Sequence, residues 1–413
     1  MDFLERTKPA LRRIVGDPAS DLYGFIIIDE LIAGRATGGI RITADVTPDE
    51  VARLAAEMTL KFAWLRLPSG GAKAGIVIDP GLSQADRHQR CRAFGAAIGD
   101  LLRSGRYVGG LDMGSREQDL AAILAGAGLV PGRTDKAPAV DSNLFTALTV
   151  VASIRALLEA RGKSLRGAGI LVEGLGKVGG HLIQLLDRAG ARIAGASTRA
   201  GAVYDPSGLP VAELINLRLR HGDACVRHAP GQRFADPAAL FLQKADLLVP
   251  GGAPDSLNQS NLDQLEVSAI VPVANISATP EIENALHARS IDYIPGFVAN
   301  SGGVFCWYLG GLSHAAREQI ILGGFGEKVG RLIAAADDAG RSIGATARSE
   351  AAQNLQEAKE RERGGPGARA RHLLRKMSPR RLGYVLGSRL LGPARVARAP
   401  LLSRWYFDAR YFR

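Results

Sequence analysis

From Thr47 to Leu60 the chain reads TPDEVARLAAEMTL: a Thr-Pro-Asp-Glu start followed by apolar residues at helical spacing. This predicts a capped amphipathic helix with Lys61 at its C-terminal end. Ala74 to Ile78 is an apolar, β-leaning run and predicts a strand, and Lys73 stands just ahead of it in a glycine-bearing turn. Gln84 to Arg103 reads as a second helix and Tyr107 to Leu111 as a short strand. Between Pro131 and Asn143 the periodicity gives way to Pro, Gly and Asp, the composition of a hinge. A long helix from Leu144 to Arg161 follows. Then come a strand at Gly169 to Glu173, the turn GLGKVG, a helix at His181 to Arg188 and a strand at Arg192 to Ser197. Two more strand-like pieces, Asp246 to Val249 and Ala269 to Val273, each precede turn-rich sequence. Alternating helices and strands predict an α/β protein, and the last set is a βαβ unit.

Composition narrows this picture. With 413 residues, 46% of them apolar, the chain is longer than one compact domain usually is, and two domains are expected. The three cysteines, Cys91, Cys225 and Cys306, are too few and too scattered for a disulfide framework or a metal motif. The first residues lack a signal-peptide core, and no run approaches the roughly 18 apolar residues of a membrane span, so a soluble, cytoplasmic protein is expected. The net charge of +11 suggests nucleic acid until it is mapped. Residues 361–413 hold fourteen Lys and Arg against two acids, which leaves the preceding 360 residues one charge to the negative side. The basicity belongs to an Arg-rich tail, broken by Pro366, Pro379, Pro393 and Pro400.

The glycines Gly174, Gly176 and Gly179 follow a strand and open a helix, the context in which G-x-G-x-x-G signals dinucleotide binding. Gly174 permits the turn, Gly176 lets backbone approach a pyrophosphate, and Gly179 allows close helix–strand packing, with Lys177 and Val178 beside the phosphates. An acidic residue is expected at the end of the second strand to hold the ribose 2′-hydroxyl. The chain has Ser197-Thr198-Arg199 there, and hydroxyls with a guanidinium suit a 2′-phosphate, so the cofactor is NAD or NADP with a lean to NADP.

The segments GGIR (38–41), EMTLKFA (57–63), LPSGGAKAGI (67–76), GLDMGS (110–115), VEGLGKVG (172–179), VANI (273–276) and ANSGGV (299–304) occur together in order. This ordered set resembles the glutamate/leucine/phenylalanine/valine dehydrogenase family over roughly residues 20 to 330. The resemblance implies NAD(P)-dependent, reversible oxidative deamination of an L-amino acid to a 2-oxo acid and ammonia. It implies a substrate domain over 1–140 facing a Rossmann-type domain over 141–310 across a cleft, helices over 311–360 returning toward the first domain, and a homo-oligomer. By match of motif, Lys61 holds the substrate α-carboxylate, Lys73 activates water at the imine carbon, and Asp112 shuttles protons. Gly38 and Gly39 line the substrate, Asn300 lies near substrate or nicotinamide, and Thr146 and Asn275 match cofactor contacts. The chemistry agrees: a carboxylate anchor needs a fixed cation, a base needs an amine that neighbouring charge and a dry site can deprotonate, and a carboxylate beside cations stays ionised.

The chain also departs from the family. Thr37 stands where glutamate-specific members carry a lysine, and Trp307 where they carry a serine. Both changes remove partners of a second carboxylate and favour an apolar side chain. Thr149 and Gly296 replace a usual glycine and aspartate. These departures leave a second reading, a non-catalytic NAD(P)-binding protein with an interaction tail. A hydroxy-acid oxidoreductase would want a histidine in a matched motif, and none of the seven lies in one. For residues 361–413 the plainer reading is an extension or a packing arm. The other is contact with an anionic membrane surface or nucleic acid.

Overall fold

A computed structural model describes residues 8–130, 141–309 and 312–363. Most of the expected hinge at Pro131 to Asn143, and the basic tail beyond Arg363, lie outside the described residues. The described residues divide into two compact units, the first formed by 8–130 with 348–363, the second by 141–309 with 312–347.

The first unit is built on strands β1 (Leu11–Asp17), β2 (Leu22–Ile28), β3 (Ala36–Thr43), β4 (Gly70–Val77) and β5 (Tyr107–Leu111) in the order β1-β2-β4-β3-β5. β3 runs parallel to both of its neighbours, while β1–β2 and β2–β4 are antiparallel. Its helices are α1 (Pro48–Trp64), α2 (Gln84–Ala97), α3 (Gly99–Arg103) and α4 (Glu117–Gly126). α1 starts as its sequence requires: Thr47 Oγ1 accepts from the Glu50 amide and Pro48 takes a position where no donor is needed. The single helix expected over Gln84 to Arg103 is instead two, because Ile98 leaves helical geometry at φ −110°, ψ 15°.

The more consequential correction concerns Lys73, which lies inside β4 rather than in a turn before it. Strand alternation then fixes what it faces. Ala72, Ala74 and Ile76 join Ile26, Ile28, Ile40, Phe94 and Ile123 in one core, whereas Phe25 and Ile27 pack with Val51 and Ala55 of α1 on the other face. Lys73 is paired with Ile27 in register, so it shares the α1 face. The same count puts Thr37 and Arg41 of β3 on that face. Residues 348–363 of the final helix, Ile343–Arg363, belong to this unit, where Lys359 Nζ meets Glu30 Oε1 at 2.6 Å.

The second unit opens with helix α5 (Ser142–Ala160), followed by β6 (Gly169–Glu173), α6 (Lys177–Arg188), β7 (Arg192–Thr198), β8 (Gly201–Tyr204), α7 (Val211–His221) and β9 (Gln232–Phe234). Strands β10 (Leu247–Val249), β11 (Ala269–Ile270) and β12 (Asp292–Tyr293) complete a sheet of order β12-β11-β10-β6-β7-β8-β9. The first five in that order are parallel and the last two antiparallel. The chain leaves β6 to one side for β7 and returns on the other side for β10. Such a reversal is where open α/β sheets bind ligands. α5 is long and apolar enough to cross a membrane, but 67% of that stretch is buried inside the protein, as in a core helix.

Candidate functional site

On the α1 face of the first sheet the strand order brings charged groups together. Lys73 Nζ lies 3.1 Å from Asp112 Oδ1, just past the end of β5. Arg41 Nε donates to Asp112 Oδ2 at 3.0 Å, and its Nη1 pairs with Glu50 in the first turn of α1. Asp112 is fixed through its main chain as well, its amide donating to Ser115 Oγ at 2.7 Å. Lys61, in the last turn of α1, Lys73 and Arg41 are all buried, at 5%, 3% and 5% exposure. α1 is seated closely enough that the Gly71 amide of β4 donates to Thr59 Oγ1 at 3.2 Å. Three cations against so few acids set the electrostatics. Burial alone would raise the Asp112 pKa, but the charges of Lys73 and Arg41, with their hydrogen bonds, hold it below the usual carboxylate value. Lys61 goes the other way. Burial first, and the charge of Lys73 second, lower its pKa to about 7, outweighing Glu57 and Asp112. Thr37, on the same face, shares a hydrogen bond with Ser69 Oγ at 2.9 Å.

In the second unit Gly174 ends β6 with φ +89°, a conformation suited to glycine, and a Cβ on Gly179 would stand 1.9 Å from the Gly174 carbonyl oxygen. Among the described residues, its chain neighbours aside, nothing lies within 4 Å of where a Cβ of Gly176 would be, so packing does not account for that glycine. Its open face at the N-terminus of α6, with Lys177 exposed and Val178 half-buried beside it, fits an approaching phosphate. The half-buried Glu173 carboxylate accepts from the amides of Gly251 and Gly252 at 3.1 and 3.0 Å, tying the β6 and β10 ends together. Asn300, 4% exposed, donates through Nδ2 to the carbonyls of Val273 and Ala274 and to Asn275 Oδ1. Its Oδ1 is buried without a hydrogen-bond partner among the described residues. Thr146 Oγ1 donates to the Ser142 carbonyl oxygen at 2.8 Å.

Sequence profiles of two families match: "Glutamate/Leucine/Phenylalanine/Valine dehydrogenase" over residues 140–356 and "Glu/Leu/Phe/Val dehydrogenase, dimerisation domain" over 17–127. The chain belongs to the Glu/Leu/Phe/Val dehydrogenase family. Among these amino-acid dehydrogenases it is 30% identical over 286 residues to an NAD-specific glutamate dehydrogenase of Staphylococcus aureus, covering 67% of this chain and 68% of that one. The structure resembles a hetero-hexameric glutamate dehydrogenase from Thermus thermophilus, solved in a Leu-bound form, with 28% identity, TM-score 0.73, and 85% and 89% of the two chains covered. An L-tryptophan dehydrogenase from Nostoc punctiforme shares the fold at 22% identity and TM-score 0.60, over 85% and 96% of the chains.

Two of the chain's departures from its family have local causes. Thr149 is fully buried, and its Oγ1 accepts from the Gly302 amide at 3.0 Å, capping helix Gly302–Tyr308. A Cβ on Gly296 would lie 2.5 Å from the Ala274 carbonyl oxygen, so backbone packing excludes an aspartate there without rearrangement. Trp307, on that same helix, is 58% exposed. The groups on which the NADP lean rested are already engaged. Thr198 Oγ1 donates to the Asp223 carbonyl oxygen, and Arg199 pairs with the Asp223 carboxylate at 2.8 Å. Sequence reasoning missed Arg41, Glu50, Glu173 and Asp223. Arg41 was within reach, since alternation along β3 places it beside Thr37.

Proposed function

We propose that the protein is a nicotinamide-dependent dehydrogenase of apolar L-amino acids. The observation that carries this reading is the Lys73–Asp112 contact at 3.1 Å on a buried sheet face that also presents Arg41, with the buried Lys61 ammonium facing it from α1. Lys61 is the anchor: a buried ammonium held near neutrality gains most from an arriving carboxylate. Asp112, kept ionised, accepts a proton from the substrate ammonium. Lys73 Nζ, once its own proton has passed to solvent, takes the proton that water releases on adding to the imine carbon, and Asp112 returns its proton to the departing nitrogen. When bound, an oxidised nicotinamide would supply the hydride acceptor for Cα. Gly174, Gly176, Lys177, Val178 and Gly179 would hold its phosphates, with Thr146, Asn275 and Asn300 around the nicotinamide end and Thr198 and Arg199 near the adenosine ribose.

The apolar choice is supported by Thr37, whose hydroxyl is shared with Ser69 where a distal carboxylate would want a cation. A homo-oligomer is supported by the matched dimerisation domain and by edge strand β1, which with β2 leaves Ile14 54% and Tyr23 47% exposed on one face. The deciding experiment follows NADH and NADPH oxidation with ammonia against a panel of 2-oxo acids. Monocarboxylic apolar acids are expected to turn over at least about tenfold better in kcat/KM than 2-oxoglutarate. Preference for 2-oxoglutarate overturns the apolar choice, and silence across the panel returns the protein to the non-catalytic reading.

A further inference from the structure

The end of β7 lacks the acidic residue that selects for an unphosphorylated ribose, yet a carboxylate stands there. Asp223 comes from the short 3₁₀ segment Gly222–Arg227 after α7, and three contacts hold it at the β7 terminus. Thr198 Oγ1 donates to its carbonyl oxygen, Arg199 donates through Nε and Nη2 to Oδ2 at 2.8 Å, and Arg218 Nη1 pairs with Oδ1. Arg218 in turn donates through Nε to the carbonyl oxygen of Leu175, inside the phosphate-binding turn, at 3.0 Å. The cluster therefore spans from the glycine turn to the strand end, the corner over which the adenosine ribose lies in this type of fold.

We propose that Asp223 is the residue that selects between the two nicotinamide cofactors, and that it selects NAD. This rests on the dinucleotide reading of the second unit given above. Each carboxylate oxygen accepts from one guanidinium and keeps acceptor capacity for ribose hydroxyls. A 2′-phosphate has no such welcome. To bind Arg199 or Arg218 it must part a guanidinium from Asp223 or share one with it, and in either case the carboxylate's charge repels it. Arg199 remains 94% exposed while paired, so it is a phosphate ligand held in check rather than one buried for structure. Neutralising Asp223 releases both guanidinium groups and leaves the strand end ready for a phosphate.

The test is a pair of titrations of the full-length protein with NADH and NADPH, read by nicotinamide fluorescence, on the wild type, Asp223→Asn, Arg199→Ala and the double variant. The wild type is expected to bind NADH at least tenfold more tightly. Asp223→Asn should narrow that ratio at least tenfold, mainly by tightening NADPH, and Arg199→Ala on the Asp223→Asn background should remove the gain. Arg199→Ala alone removes a guanidinium that a 2′-phosphate could use, and should keep the preference for NADH. Equal or tighter NADPH binding by the wild type overturns the proposal, as does an unchanged ratio in a folded Asp223→Asn variant. If the wild type binds neither nucleotide, the dinucleotide reading itself falls. If it binds both equally, only the selection does.

Discussion

Lys61 makes a prediction that can be worked through. Its ammonium is buried on α1 facing Lys73, and its pKa falls to about 7, so the folded enzyme without substrate loses this proton as pH rises through neutrality. A 2-oxo acid remains an anion over the same range and carries no titration of its own. At about pH 7 half of the molecules hold the ammonium and at about pH 9 about one in a hundred does, so an anion that requires it loses about fiftyfold in apparent affinity, or about 2.3 kcal/mol. The bound carboxylate raises the Lys61 pKa, so binding takes up about half a proton per site at about pH 7 and close to one above about pH 8. Isothermal titration of an apolar 2-oxo acid, in buffers of different ionisation enthalpy, measures both affinity and proton uptake. Lys61→Arg keeps its charge throughout and should flatten the pH dependence. Wild-type affinity that is level across this range, or binding without proton uptake, refutes the assignment of Lys61 as anchor. A slope that survives in Lys61→Arg places the titrating group elsewhere.

Three further outcomes are expected. Lys73→Ala and Asp112→Asn should each lower turnover by about 10²- to 10⁴-fold while nucleotide titrations stay at the wild-type value, and a variant keeping more than about a tenth of turnover has been given the wrong role. Arg41→Ala removes a buried cation from between Asp112 and Glu50 and should cost about 3 kcal/mol in urea unfolding, whereas a loss under about 1 kcal/mol means the two carboxylates do not depend on it. Gly179→Ala places a Cβ against the Gly174 carbonyl oxygen and should weaken NADH binding at least about tenfold with an unchanged far-UV spectrum, and unaltered affinity would remove the glycine turn from the cofactor site.

The elements most legible in the sequence are those whose evidence is local. Tyr107 to Leu111 and Gly169 to Glu173 carry their apolar pattern within the strand, and the structure returns both at the expected bounds. The glycine turn is partly self-contained: Gly174 takes φ +89°, and a Cβ on Gly179 would strike the Gly174 carbonyl oxygen five residues back. Two things were hidden. Lys73 reads as a turn residue because Gly70, Gly71 and Gly75 surround it, and glycine usually punctuates strands. Here those glycines admit close neighbours on the α1 face: a Cβ on Gly71 would meet the Thr59 amide at 2.1 Å, and one on Gly75 the Phe25 ring at 2.4 Å. Asp223 was hidden for a different reason. It lies 24 residues beyond Arg199, and only the return of α7 and the 3₁₀ segment brings it to the strand end. No window along the chain contains both.

Lys73 and Asp112 are a further step from legibility, because their meeting depends on the strand between them. Lys73 belongs to β4, Asp112 follows β5, and β3 pairs with both. The two side chains can touch only if the backbones of β4 and the β5 end draw in against β3, and Gly38 and Gly39 lie where they do. A Cβ on Gly38 would stand 1.5 Å from the Ala72 carbonyl oxygen, the residue before Lys73, and one on Gly39 would stand 2.8 Å from the Asp112 Cβ. Resemblance assigns these glycines to the substrate, but the packing gives them a prior task. Without side chains at these two positions, β3 lets Lys73 on one side and Asp112 on the other meet at hydrogen-bond distance. An alanine at Gly39 would therefore move Asp112 before it met any ligand, and its effect on turnover should follow the Lys73–Asp112 separation rather than the size of the substrate.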